Sequence, residues 1–443
     1  VELLLGSRKD AMKSENVLTK QQRIAELACM HREVSFTSLA YYVDEEWLQE
    51  AYRRTRKDGA VGVDDVTAAE YESKLTENLK SLLTRFKTGK YYAPPVKRVY
   101  IPKDVKGKEM RPLGIPTLED KILQRAVMMV MEPLYELEFY DCSYGLRPER
   151  SVHQALKELW QTVTLMGGCT ILEVDIRNFF GTLRHSDLRD FIKQRVCDGV
   201  LIRTIGKWLN AGVLEDRVLQ YPEDGTPQGG VISPLLSNVY LNYVLDNWFE
   251  EEIKPLLKSQ ARLIRFADDF VILFKDKTDA LRVERVIWKR FEKFGLALHP
   301  EKTRLIDFMS PATSSVKSES FDFLGFTHFW GTSRWGNNVV KRKTAKKKLK
   351  LAIASINQWC KENRHEKVNE QQKALTRKLQ GHYGFYGITF NSRSIALFYH
   401  QVMRCWKKWL NRRNRNNEMN WDVFNKLLKK YPLPKPRIVH SFA

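Results

Sequence analysis

At 443 residues the chain is longer than one hydrophobic core usually organises, so two or three units are expected. A hydrophobic fraction of 43% with 29% charged residues is that of a soluble globular chain, which excludes general disorder, and no apolar run is long enough to span a membrane. The 74 Lys and Arg against 53 Asp and Glu give +21; from Gly331 onward there are 26 basic and 5 acidic residues, leaving 48 of each sign in residues 1–330.

Taken in chain order, the opening VELLLGSRKD has a short apolar stretch but neither a basic leader nor a small-residue cleavage site, so a cytoplasmic protein of a bacterial-type or organellar host is expected. Residues 1–90 form the first region, with amphipathic helical stretches at Trp47–Arg56 and Tyr71–Phe86. The Gly-punctuated loop KDGAVGVDDVT lies between them. Residues 91–330 alternate strand-like and helix-like runs, the pattern of an α/β or α+β domain. Residues 331–443 begin with KRKTAKKKLK within a basic, mostly helical region that runs to about Tyr431, and end in the proline-rich, extended YPLPKPRIVHSFA. Cys29, Cys142, Cys169, Cys197, Cys360 and Cys405 are far apart, without a Cys-x-x-Cys pair, and read as buried reduced thiols rather than a disulfide or zinc framework.

The basic region attracts a polyanion, and nucleic acid is the commonest one. Tyr383, Phe385, Tyr386, Phe398, Tyr399, Trp406 and Trp409 interleave with its charges, as stacking platforms or, for most of them, as helix core.

Two apolar runs flank a very short link in Arg265-Phe266-Ala267-Asp268-Asp269-Phe270-Val271-Ile272, which predicts a β-hairpin with adjacent carboxylates at its tip. Alone, an Asp-Asp pair is more often a solvated turn or a cap. Paired carboxylates on strands are costly unless a cation neutralises them. Upstream, ILEVDIRNFF is an apolar strand that can place Glu173 and Asp175 on one face, with Asp175 the stronger candidate. Three such carboxylates make an oxygen-rich site suited to two Mg²⁺ ions, the arrangement that supports in-line displacement at phosphorus. Between the strands lies TPQGGVISPLLSN, whose paired glycines permit close backbone approach to a ligand and whose Ser233 is placed to cap the following helix.

The order Asp175…Phe180, PQGGVISPLLSNVYL and FADD resembles that of reverse transcriptases, and more narrowly the group II intron-encoded reverse transcriptase/maturase family. The likeness extends to GAVGVDDVT, RPLGIPTLEDKILQRAV, SYGLRPERSVHQAL, HPEKTRLI, FLGF and the basic C-terminal region. It implies an α+β right-hand polymerase with fingers, a palm holding an antiparallel sheet, and an α-helical thumb or X domain. Residues 1–90 would be an N-terminal extension and the start of the fingers, 91–330 fingers and palm, and 331–443 thumb. Carried over by motif, Asp175, Asp268 and Asp269 are catalytic carboxylates holding two Mg²⁺, with Mn²⁺ a substitute, and Ile176 offers a backbone carbonyl to one ion. Phe180 would crowd the sugar 2′ position, while Phe179 takes the core place. Lys103 and Arg111 would contact the triphosphate, Gln228 and Gly229 the nucleotide and template, and Lys302 would protonate leaving pyrophosphate. Phe323, Leu324, Gly325 and Phe326 would grip the primer terminus, although the same pattern serves as plain hairpin core. Two departures stand out: Phe266 replaces the family's usual tyrosine, and Gly181 follows the double Phe where an acidic residue is common.

The resemblance implies an RNA template, a DNA or RNA primer, dNTPs and group II intron RNA as partners, with no membrane. It leaves oligomeric state open. No His- and Cys-rich nuclease module follows, so target-DNA cleavage is not expected. Three readings stand: an active polymerase, a maturase acting as an RNA-binding splicing cofactor, and a host-adopted polymerase in repair or phage defence.

Overall fold

The computed structural model describes residues 2–102, 110–215, 218–221, 224–225, 229–312, 318–413 and 419–442, with side chains from residue 16 onward. Lys103 and Gln228 lie outside the described residues.

Helix α1 (Glu2–Met30) is followed by α2 (Glu45–Arg54), which starts where the Asp44 carboxylate accepts the Trp47 N–H at 2.9 Å. The helix expected over Tyr71–Phe86 is two: α3 (Ala68–Ser73), closed by a reciprocal capping box between Thr67 and Glu70, and α4 (Leu75–Lys87). Lys74, at φ −127° and ψ 34°, breaks the run between them. Strands β1 (Val96–Pro102) and β2 (Met110–Ile115) lead into α5 (Leu118–Tyr135), capped by the Thr117 hydroxyl. Next come α6 (Val152–Met166), β3 (Gly168–Arg177), the single turn α7 (Phe179–Thr182), α8 (His185–Lys193), α9 (Gly199–Leu209) and the short β4 (Val213–Glu215) and β5 (Val218–Gln220).

Helix α10 (Ser233–Leu241) has Ser233 as its first residue rather than its cap, because Ile232 occupies that place. The helix continues into wider π turns at Asn242–Asp246 and Trp248–Ile253. The rest comprises β6 (Ala261–Phe266), β7 (Asp269–Phe274), α11 (Lys277–Lys293), β8 (Ala297–Leu298), β9 (Arg304–Met309), β10 (Phe321–Phe323), β11 (Phe326–Thr332) and β12 (Asn338–Thr344). Four helices close the chain: α12 (Lys346–Glu362), α13 (Val368–Tyr386), α14 (Ser392–Asn411) and α15 (Trp421–Lys430). The KRKTAKKKLK run is therefore half strand and half helix, and β11 runs through Gly331.

The elements form an α+β fold with two compact units. The first comprises residues 1–101, 110–152 and 172–305, the second 102–109, 153–171 and 306–443, so β3 and β9 each contribute to both. A sheet in the order β6-β7-β3-β8, with β9 also on β3, carries antiparallel β6–β7 and β3–β8 pairs. A second sheet, β2-β1-β4-β5, belongs to the first unit, with β1 and β4 parallel. The core of the first unit is built around α5, whose Ile122, Leu123, Ala126, Val127, Val130 and Met131 are fully buried.

In the second unit, β10-β11-β12 form an antiparallel sheet, and α12–α15 enclose Leu375, Leu379, Phe398, Val402, Trp406 and Phe424. Of the seven aromatics among the basic charges, Tyr383, Phe398, Trp406 and Trp409 are buried and the other three partly so, which makes them core. The terminal segment lies against the α13–α14 connection: His440 stacks on His153 of α6 at 3.5 Å, and Phe442 covers the buried Arg342 guanidinium at 4.2 Å. All six cysteines are free, but only Cys142, Cys169 and Cys360 are buried; Cys29 and Cys197 are exposed, correcting the expectation of uniformly buried thiols.

Candidate active site

The β6–β7 hairpin turns through two residues, Ala267 and Asp268, between the paired Phe266 and Asp269. Ala267 takes the left-handed conformation at φ 56°, an uncommon backbone for a residue with a side chain, so something must hold it there. The holder is Arg265, fully buried with Asp246. Its guanidinium donates to the Ala267 carbonyl at 3.1 Å, to Asn238 Oδ1 at 2.9 Å, to Asp246 Oδ1 at 2.8 Å and also to Asp246 Oδ2. Burial works against its charge, yet Asp246 outweighs that and the guanidinium pKa lies above its ordinary value.

The next segment closes the turn from the other side. Residues Cys142 and Tyr144 exchange backbone hydrogen bonds with Arg265, each 2.8 Å, and Asn238 donates to the Gly145 carbonyl at 2.8 Å. A Cβ on Gly145 would stand 2.2 Å from the Ala267 nitrogen, so glycine is required for this approach. This accounts for the SYG of the SYGLRPER motif.

Strand β7 lies beside β3, which carries Asp175. The two carboxylates feel one another: the Asp268 pKa is raised chiefly by burial and further by the Asp175 charge, while Arg111 on β2 and Arg265 pull it down. Asp175 and Arg111 thus both lie within electrostatic reach of Asp268, with Asp269 exposed next to it. Asp175 is fixed through its backbone carbonyl, which accepts the His299 N–H at 2.8 Å, and its carboxylate meets Lys302 Nζ at 3.0 Å. Two positions before it, Glu173 meets Arg304 at 2.9 Å, so each of the two acidic side chains on β3 has its own cation. Ile176 is buried and pairs in register with Leu298.

Among the described residues no group of three or more His, Cys, Asp or Glu side chains is drawn together closely enough to hold a metal ion by itself, so Asp175, Asp268 and Asp269 would need waters and substrate to complete a site. That donor set fits Mg²⁺ nonetheless, because this ion is commonly held by one or two carboxylates, waters and substrate phosphates. Burial of the Asp268 carboxylate, and the Asp175 charge near it, are what a divalent cation relieves.

Phe179 is a core residue, packed edge-on against Tyr240 at 6.3 Å. Phe180, 5.3 Å from it, is only partly buried. Gly181 has a local reason. Asn178 is left-handed at φ 50°, and a Cβ on Gly181 would meet its side-chain amide at 2.4 Å. Gly225 approaches the same turn, its own hypothetical Cβ 2.7 Å from the Phe180 carbonyl.

Gly229, at φ 114°, passes so close to β2 that a Cβ would lie 2.4 Å from the Gly114 carbonyl oxygen. The close approach expected of this glycine is made to the chain's own strand. The following residues are held by Gln124 of α5: its carbonyl oxygen accepts from Val231 N at 2.7 Å and Ile232 N at 3.3 Å, and its amide donates to Asp120 at 3.0 Å. Asp120 also accepts from Trp208 at 2.6 Å and Tyr91 at 2.5 Å. Burial raises its pKa to about 6 against these hydrogen bonds. The LEDKILQRAV motif therefore anchors the GGVIS turn, a role that its sequence alone did not reveal.

Phe323-Leu324-Gly325-Phe326 lies in the second unit as a two-residue hairpin turn with both central residues at positive φ, 48° and 84°. Both phenylalanines are buried, and Phe326 packs on Phe385 at 5.9 Å and Tyr386 at 5.3 Å.

Residues 101–328 match the family described as reverse transcriptase (RNA-dependent DNA polymerase). The chain is 33% identical over 346 residues to protein YkfC of Escherichia coli, covering 70% of this chain and 87% of that one. It is 41% identical over 182 residues to the group II intron-encoded protein LtrA of Lactococcus lactis, covering 41% of this chain and 29% of the relative. A 91 kDa protein in the cob intron of Schizosaccharomyces pombe is 36% identical over 173 residues, covering 39% of this chain and 21% of that one. The chain thus spans less than a third of these two intron-borne relatives. No described helix is long and apolar enough to cross a membrane. Hairpin, opposing strand and matched family agree: the chain belongs to the reverse transcriptases, RNA-directed DNA polymerases, in their group II intron-encoded branch.

Proposed function

We propose that the chain extends a primer 3′-hydroxyl on an RNA template by two-metal nucleotidyl transfer. The observation that carries this is the electrostatic convergence of Asp175 with the Asp268–Asp269 tip beside Arg111. Asp175, Asp268, Asp269 and the Ile176 carbonyl would hold two Mg²⁺, or Mn²⁺ in its place; bound there, the ions supply charge neutralisation for the 3′-oxygen and the departing pyrophosphate.

The chain's own groups do the rest. Arg111 and Lys103 bind the triphosphate, and the ring of Phe180 crowds the 2′ position and favours dNTPs. Gln228 and Gly229 line the nucleotide pocket. As the new O3′–P bond forms and the P–O bond to pyrophosphate breaks, Lys302, 3.0 Å from Asp175, is positioned to give a proton to the leaving group. The turn Phe323–Phe326 holds the primer end.

The second unit, with the basic excess from Gly331 onward, is the part proposed to bind group II intron RNA and assist splicing, in line with the intron-encoded relatives. The test is primer extension on RNA with dNTPs or rNTPs, with Mg²⁺ supplied or chelated. Asp268→Asn/Asp269→Asn should abolish cDNA synthesis and leave RNA affinity within about twofold, since phosphate contacts made elsewhere supply that affinity. Undiminished synthesis by the double variant overturns the assignment.

A further inference from the structure

The first unit contains a concave pocket of about 730 Å³, within the roughly 300–1,000 Å³ of ordinary ligand sites. Its walls come from the segment after α4, from α8 and α9, and from residues flanking the β4–β5 hairpin. Four cations line it, Lys90, Arg189, Arg203 and Lys207, and among the described residues no acidic side chain does. None of the four makes an ion pair among the described residues, in a stretch of sequence (residues 1–330) whose charges otherwise balance. Such a concentration of one sign in a concavity focuses the field on an anion.

Two features make the pocket more than a solvated face. Lys207 donates to the carbonyls of Gly89 at 2.7 Å and Tyr91 at 2.6 Å, which fixes its ammonium and leaves one of its three donors. Glycines also border Arg203: a Cβ on Gly199 would stand 3.1 Å from its Nη1. The lining also holds two rings that the core does not use, Tyr92 at 68% and Tyr221 at 63% exposed. Unpaired cations beside exposed aromatic faces are the combination that binds phosphates and stacks unpaired bases; a duplex keeps its base faces covered.

We propose that this pocket is a binding site for a single-stranded RNA segment, its phosphates on Lys90, Arg189, Arg203 and Lys207 and its bases on Tyr92 and Tyr221. The assignment rests on the reading of the chain as an RNA-templated polymerase, and it places a second contact on the strand away from the carboxylates.

The test uses the full chain carrying Asp268→Asn/Asp269→Asn, so that binding is read without turnover, and a short oligouridylate containing 4-thiouridine. Ultraviolet cross-linking with peptide mapping should find adducts in the peptides that contain Tyr92 and Tyr221. Tyr92→Ala/Tyr221→Ala should weaken binding of this oligonucleotide by about five- to a hundredfold. Lys90→Glu/Arg203→Glu should lose the adducts and flatten the salt dependence, with an unchanged melting temperature as the control for folding. Adducts only elsewhere, or equal adducts from the oligonucleotide in a fully paired duplex, would overturn the proposal. Primer extension by the unsubstituted chain, measured in parallel, decides the polymerase reading separately, so either can fail alone.

Discussion

Arg265 stands just before Phe266 and the two carboxylates, and its hydrogen bonds hold the turn that carries them. Its charge has no access to water and one acidic partner, Asp246. Removing that partner strands a buried cation, so Asp246→Ala should destabilise the chain by roughly 3–5 kcal/mol, read from the denaturant midpoint. A loss below about 1 kcal/mol would show that the network is dispensable. Asp120 gives a second residue-scale prediction. With its pKa at about 6 in the fold and 3.8 ordinarily, the folded chain binds the extra proton between these values. Its contribution to stability is therefore fully present below pH 3.8 and is lost as pH rises to about 6, by at most roughly 3 kcal/mol. The melting temperature of the chain should fall relative to that of Asp120→Asn as pH rises across that window; a difference independent of pH would contradict the raised pKa of the buried carboxyl. Asp175, Asp268 and Asp269 stand out as candidates through their flanking apolar runs and the order of the motifs, since an Asp-Asp pair alone is more often a solvated turn or a cap. Arg265, Asn238, Asp246 and Gln124 do not, because each acquires its meaning from a partner 19 to 108 positions away.

At the scale of elements, the hairpin was legible because alternation breaks for only two residues between apolar runs. The bent helices were not. Lys74 interrupts a stretch whose apolar periodicity continues on both sides, and α4 starts after it without a side-chain cap to mark the break. Likewise Ser233 has the composition of a cap but stands one position inside α10. The paired glycines permit close backbone approach, and Gly229 makes one such approach to β2. Gly145 was not singled out, yet the hairpin turn depends on it. Gly145→Ala would drive a methyl group into the Ala267 nitrogen, and the hairpin tip would move. Extension rate should fall by about a hundredfold while the KM for dNTP changes little, since displacement of a reacting group by about 1 Å has that effect. Unaltered single-turnover kinetics would mean that the tip tolerates the shift.

Over the whole molecule, net charge located the basic region correctly but concealed the pocket at Lys90, Arg189, Arg203 and Lys207, whose cations are offset elsewhere in residues 1–330. The start of α12 carries exposed Lys346, Lys347 and Lys348 where a helix prefers acidic residues, and its first turn has none. Local stability would be better served by other residues there, which fits a surface that meets phosphates. Replacing the three by Gln should reduce the slope of log K against log salt for RNA by about two to three units, one per lost phosphate contact. An unchanged slope would remove these lysines from the RNA interface.

The interleaving of the two units also bears on how the chain matures on the ribosome. Helix α6 leaves the exit tunnel early, but His153 needs Phe385 and His440, and Trp160 needs Phe442. At bacterial and eukaryotic elongation rates these contacts of α6 wait roughly ten seconds to a minute for their partners. Nascent chains halted before Phe385 should therefore recruit a holdase at this helix more than chains extended beyond Phe442 do, and the protein's yield should respond to chaperone supply.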